Sequence, residues 1–384
     1  MMSEELEIYK EDKVYFHLPD FHGHFRLNYL LATLLAEHPE YFYDGVAIGS
    51  IYGSFPSAIW NGGRVVMGGV VSREDMIQCS KAFNDLGIPL RFTFTNSLID
   101  EKLCWDAYCN EIMRQCNNGL NQCLVNAPAL EAYIKENYPD YPILSSTTKR
   151  LTDLEDAQKE LEKGYALVVL DYDLNHDERI FFMDHPERYE LLINAYCMDG
   201  CPRRCNHYYS MAQDQIHFGH VPLDDPEKEV GPCEWIGHDF YQAISSRKNT
   251  IKQEELYGFY RENGFKHFKI EGRTTNDFDV LESYMYYMVR PEFRDSVRLV
   301  MLRRMFLEQQ QAGPQQIMVM TPEQMKELQE SGQLQFQRIS GPPIPGLEDS
   351  SDNIVDGGVA TAVSDQSGES CSCSECTGDC SCHK

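Results

Sequence analysis

Four cysteines, Cys197, Cys201, Cys205 and Cys233, follow the apolar run Tyr189–Asn194, in the stretches YELLINAYCMDGCPRRCNHYY and GPCEW. Thiolates gathered at a strand end suit a soft metal or an iron–sulfur cluster. Four are the normal complement of a 4Fe–4S cluster. A structural zinc site is the alternative, although zinc ligands more often come as pairs two to four residues apart. Free thiols are the third reading, weakened by Gly200, Pro202 and Gly231, which hold the loop in turns. His207, His217, His220 and His238 stand close enough in sequence to replace a ligand. Both gaps between the first three cysteines are three residues, so the three-then-two spacing of radical S-adenosylmethionine enzymes is not met.

A second concentration is KIEGR, which sets Lys269, Glu271 and Arg273 on alternate positions. On a strand, alternate side chains point to one face. Three ionised groups inside a barrel are costly unless paired or used. The reading therefore divides between a structural salt-bridge network and a substrate site. Arg273 suits bidentate capture of a carboxylate or phosphate. DYDLN adds Asp171 and Asp173.

The elements that must position these residues are short apolar runs alternating with helical segments. The runs are 14–18, 45–50, 91–96, 122–126, 142–146, 165–170, 190–194 and 265–270. Helices are expected over 25–37, 73–86, 101–117, 128–138, 153–163 and 253–263, with a long one from Asp277 and a short segment ending near Pro186. Such alternation implies a parallel sheet with right-handed crossovers. Eight units closing on themselves predict an α/β fold, a (β/α)8 TIM-type barrel. An open doubly wound sheet is the rival, and RVVMGGVV (64–71) is an apolar run that could change the strand count by one. In the barrel, Asn96, Asn126, Ser145–Thr148, Asp171, Asn194 and the KIEGR residues converge on one face. Singly, each is as well explained as a turn or cap residue.

The chain has 384 residues, 42% of them hydrophobic, enough for a large core. A net charge of −26 argues against broad electrostatic binding to nucleic acid or anionic membrane, with a local basic strip the exception to look for. The beginning, MMSEELEIYKEDK, has no basic or apolar leader, and no apolar run approaches a membrane span. The expected location is cytoplasmic. In a reducing compartment the 14 cysteines are expected to be ligands, free thiols or core residues rather than a disulfide framework. Cys79, Cys104, Cys109, Cys116 and Cys123 are expected in apolar packing.

Residues 1–312 form the expected barrel domain, with a cysteine-rich insertion at 195–247. Residues 313–370 read as a linker with one short helix, capped by Thr321 with Pro322 at its first position, and then a disordered Pro/Gly/Ser/Asp-rich segment. Residues 371–384 are a separate cysteine-rich tail, CSCSECTGDCSCHK, of a composition able to capture zinc, copper(I) or an iron–sulfur precursor.

FKHFKIEGRTTNDFDVLESYMYYM resembles the KIEGR segment of the U32 collagenase-like peptidase family, and INAYCMDGCPRRCNHYY and GPCEW are similar to that family's cysteine elements. The resemblance implies a barrel. It also implies, in several branches, a 4Fe–4S cluster and a part in hydroxylating RNA bases or ubiquinone precursors. Carried onto this chain it makes Cys197, Cys201, Cys205 and Cys233 the cluster ligands, with Lys269, Glu271 and Arg273 the motif residues. The cysteine spacing is more compressed than in those branches, and the tail has no counterpart.

The leading expectation is therefore an iron–sulfur enzyme acting on a small molecule or nucleobase in a hydroxylation-type pathway. Asn96, Asn194, Lys269 and Arg273 would bind substrate, and Asp171, His207 and Glu271 would act in catalysis. A collagenase-like peptidase is the alternative. It would need a cysteine–histidine nucleophile, since neither HExxH nor GxSxG occurs. A non-catalytic metal-binding scaffold is the third. A partner subunit could complete the site, and nucleic acid stays open as a ligand.

Overall fold

A computed structural model describes residues 6–217, 247–273 and 275–311, with side chains of the last helix described to Met305. Contacts divide the chain into Met1–Gln310 and Gln311–Lys384, and the architecture below is that of the first unit. The expected linker, its helix, the disordered segment and the cysteine-rich tail lie outside the described residues, as does Cys233.

Eight parallel strands close a barrel in sequence order. They are β1 (Val14–Pro19), β2 (Val46–Gly53), β3 (Leu90–Phe94), β4 (Gln122–Val125), β5 (Ile143–Ser145), β6 (Val168–Val169), β7 (Tyr189–Leu192) and β8 (His267–Lys269). Closure is made by β1 against β8, with His17 beside Lys269. The fold is the (β/α)8 barrel, and the open sheet is ruled out by that pairing. Each expected strand appears, and RVVMGGVV adds none: its residues form an irregular, partly exposed loop between β2 and the helix that starts at Arg73.

The helices are α1 (Phe25–Glu37), α2 (Arg73–Asn84), α3 (Ala107–Gln115), α4 (Pro128–Asn137), α5 (Leu154–Glu162), α6 (Arg204–His217), α7 (Asp277–Tyr287) and α8 (Arg294–Gln311). Four expectations need correction. The helix expected from Glu101 begins at Ala107, because Asp106 caps it by accepting from Cys109 N at 2.7 Å. The segment after β6 holds only 3-10 turns. The helix expected at Gln253–Asn263 is one α-turn, Gln253–Glu255, followed by a π-turn, Leu256–Tyr260. The long helix from Asp277 is two, interrupted at Pro291, whose ring cannot continue a helix.

Strand alternation sets the layers. Leu90, Phe92 and Phe94 of β3, Phe16 and Leu18 of β1, and Phe268 and Ile270 at β8 face the helices and join the main apolar core. Truncating a buried ring such as Phe92 to alanine would cost about 3–5 kcal/mol. The five cysteines expected in packing, Cys79, Cys104, Cys109, Cys116 and Cys123, are indeed buried there. Inside the barrel, Leu124, Leu144, Leu167 and Val169 form an apolar wall with Tyr9 and Tyr15. A polar set adjoins it at the Tyr9 and Tyr15 rings: His17, Arg91, Gln122, Glu190 and His267 are all fully buried. Among the described residues no helix is long and apolar enough to cross a membrane.

Candidate active site

The carboxyl ends of the strands surround an inner cavity of about 60 Å³, lined by Tyr52, Arg64, Thr93, Thr95, Ser146, Thr148, Tyr172, Tyr208, Lys269, Glu271 and Arg273, among others. It adjoins an outer cavity of about 360 Å³ through the shared residues Gly63, Thr95, Thr148 and Tyr208. The outer cavity adds Lys149, Arg150 and Cys205. Within a chain of net charge −26, the described residues of the two linings together carry five cations and one carboxylate, Glu271. The local basic patch lies here.

Two segments roof the mouth. The loop after β2 crosses the end of β3, where Gly62 N donates to Thr93 O at 3.2 Å and Asn96 N donates to Trp60 O at 3.0 Å. A Cβ on Gly62 would lie 2.4 Å from the Thr95 carbonyl carbon, so only glycine permits this approach. Helix α6 lies over that loop. Gln215 Nε2 donates to Ala58 O at 3.1 Å, and Gln215 Oε1 accepts from Val66 N at 2.8 Å. The insertion expected as a thiol-bearing loop is thus partly helical, and Cys205 stands on the first turn of α6.

Lys269, Glu271 and Arg273 all face the inner cavity, as their alternation requires. Their partners differ. Glu271 is ion-paired to Arg64 and accepts from Tyr196 N at 2.8 Å. Arg273 donates from Nη1 to Asn61 Oδ1 at 3.0 Å and Thr93 Oγ1 at 2.8 Å, and from Nη2 to Gly62 O at 2.9 Å. All three acceptors are neutral, and Arg273 is ion-paired with no carboxylate among the described residues. Burial pulls its guanidinium below the usual arginine range.

Lys269 is buried, its ammonium 4.2 Å above the Tyr52 ring and 3.6 Å from Glu190 Oε1. Burial lowers its pKa, the Glu190 carboxylate raises it, and Arg91 and Arg273 lower it again; the balance is about 8. Glu190 anchors the polar set, ion-paired to Arg91 and 3.4 Å from His17 Nε2. His17 Nε2 in turn meets His267 Nδ1 at 3.1 Å. Burial drives both imidazoles well below their ordinary pKa.

The other expected residues are bound to protein. Asn96 donates to Ile59 O and Ala212 O, each at 3.0 Å, and so pins α6 to the loop. Asn194 exchanges two bonds with the Glu271 backbone, at 3.2 and 2.6 Å, continuing the β7–β8 pairing past the strand ends. Asp171 accepts from Arg204 at 3.0 Å and Arg150 at 3.2 Å, and caps the turn Tyr172–Leu174. His207 sits exposed on α6 and lines neither cavity. The protein packed beside the ring desolvates it in part, and this and the nearby Arg64 and Arg203 charges lower its pKa.

A 4Fe–4S cluster or zinc ion would need converging thiolates. Cys197 packs against Tyr172, Leu192 and Ala195, and burial raises its pKa. Cys205 accepts from Arg150 Nη1 at 3.1 Å. No group of three or more cysteine, histidine or carboxylate side chains among the described residues is arranged to hold a metal. The described thiols therefore do not make such a site by themselves. Nor is any cysteine–histidine hydrogen bond present among them.

Sequence reasoning missed Arg64, Tyr52, Asn61, His17, Arg91, Glu190 and His267. Four of these were accessible to it. His17, Arg91, Glu190 and His267 are polar residues at alternate positions in otherwise apolar runs, in step with Lys269, Thr93 and Asn194.

No family model matches the chain. No curated protein matches it either. Among solved structures it is similar to a U32 peptidase, with 16% identity and a TM-score of 0.42, covering 71% of this chain and 96% of that one. A likeness that remote carries no argument about chemistry, and the barrel rests on its own strand pairing.

Proposed function

We propose that the barrel mouth binds a small anionic substrate, a carboxylate or phosphate, and that the chain acts on it as an enzyme. Arg273 carries this reading. A half-buried guanidinium in the barrel mouth, held only by neutral acceptors, is a charge without a counter-ion, and charges withdrawn from water are ordinarily paired. Of its five N–H donors three are used, leaving donors for a ligand oxygen. Arg64 stands at the same cavity with its charge balanced by Glu271, so Arg273, together with Lys269, supplies the net positive charge. The combined cavities are of a size for a small molecule. Asn96, Asn194 and Asp171 build the walls instead of touching substrate, and Lys269 is the cavity's amine.

A panel of small carboxylates and phosphates, with the matching neutral amides as controls, tests this by thermal unfolding. Anions that raise the melting temperature of the parent chain and not of Arg273→Gln support the reading. No preference for anions over amides sinks it. Cluster binding and a hydroxylation pathway rest on the sequence resemblance alone. Iron, sulfide and zinc counts on protein purified without oxygen, beside Cys201→Ala, test that part separately.

A further inference from the structure

We infer that Lys269 forms an imine with the carbonyl carbon of a short oxo acid whose carboxylate is held by Arg273. This rests on the anion site proposed above and names its substrate class. Three observations support it. Lys269 and Arg273 flank one ring, with Lys269 Nζ at 4.2 Å and Arg273 Cζ at 5.9 Å from the Tyr52 centroid. Both groups also line the inner cavity, so a molecule held there that carries a carbonyl next to a carboxylate can present one end to each. Among the described residues Lys269 is also the one lysine lining the inner cavity. Finally, Glu190 Oε1 is buried, has no hydrogen-bond partner among the described residues and lies 3.6 Å from Lys269 Nζ.

A lysine attacks a carbonyl only as the neutral amine, and a dry pocket shared with other cations favours that form. Both conditions are present, with Arg91 and Arg273 as the cations. The Nζ lone pair forms the C–N bond while the carbonyl π pair moves to oxygen. Glu190 Oε1 relays both amine protons, one after the other, from nitrogen to that oxygen, which leaves as water as the nitrogen lone pair closes the C=N bond. Nothing is oxidised or reduced, and the only co-product is water. The bound carboxylate stays on Arg273, while the outer cavity accepts the remainder of a longer oxo acid.

The test is reductive trapping. The full chain is incubated with pyruvate or 2-oxoglutarate and cyanoborohydride, then examined by intact mass and peptide mapping, with lactate as the carbonyl-free control. The expected result is one adduct per chain, on Lys269, absent with lactate and absent in Lys269→Met. Labelling should rise as pH is raised towards the lysine's pKa of about 8. No adduct at Lys269, or labelling scattered over exposed lysines, overturns the imine. If pyruvate and lactate still raise the melting temperature in an Arg273-dependent way, only the imine falls. If neither does, the anion site falls with it. Peptide mapping of the parent chain decides even if a variant fails to fold.

Discussion

Lys269 Nζ lies 3.6 Å from Glu190 Oε1 inside the barrel, with 7% of one side chain and none of the other exposed. Glu190 is already ion-paired to Arg91, so one carboxylate serves two cations. The lysine is thereby left short of compensation at the floor of a cavity. An uncompensated group at such a place is a common mark of function, since it costs stability that a purely structural site would not give up.

Lys269→Met should therefore stabilise the fold, by roughly 1–2 kcal/mol near neutral pH. The folded pKa of about 8 lies below the ordinary 10.5. Between those values the unfolded chain binds the extra proton, so the parent's stability rises as pH climbs through that window. Urea midpoints across it should converge with those of the variant. A variant less stable than the parent would mean that the Glu190 pairing outweighs burial.

Glu190→Gln should have the opposite effect. It strands the Arg91 guanidinium in the barrel interior, at a cost of about 3–5 kcal/mol. Adding Arg91→Met to it should recover much of that loss, because the two residues share one interaction. Additive losses in the double-mutant cycle would contradict the pairing.

Acid should weaken the fold through His17 and His267, whose folded pKa values lie well below the usual 6.5. Below about 6.5 the unfolded chain takes up protons that the folded barrel refuses. Stability is full above that pH and falls beneath it, by up to about 1.4 kcal/mol per pH unit for each histidine. Denaturant titrations between about pH 7 and pH 5.5 check this. Invariant stability over that range would show that one or both imidazoles charge without unfolding.

Gly62→Ala should disturb binding and stability together. The added Cβ meets the Thr95 carbonyl carbon at 2.4 Å, so the loop must lift from β3. Overpacking of this kind costs about 1–3 kcal/mol. Because Asn61 and Gly62 hold Arg273, anion affinity should drop about tenfold, roughly 1.4 kcal/mol. Loss of stability with unchanged affinity would place the Arg273 geometry under other control.

The barrel was legible because period-two apolar runs and helical segments alternate, and every expected strand occurs within a few residues of its place. Helix ends were less so. Asp106 and Pro291 act through a cap and a ring constraint that periodicity does not weigh against an apolar pattern. KIEGR was legible as a set of cavity residues. Its division of labour was not, because Glu271 is occupied by Arg64, a residue some two hundred positions away in an irregular loop. Asn96, Asn194 and Asp171 read as site residues by type and position, but their partners are backbone groups and arginines that only the closed barrel brings near.

Arg273 is proposed to wait for an anion. Calorimetric titration of the parent chain and Arg273→Gln with pyruvate and with inorganic phosphate tests it most directly. Saturable binding of at least one anion to the parent is expected, weakened at least about tenfold in the variant, roughly 1.4 kcal/mol or more. Equal binding by both proteins, or heat from neither anion with the parent, would contradict it.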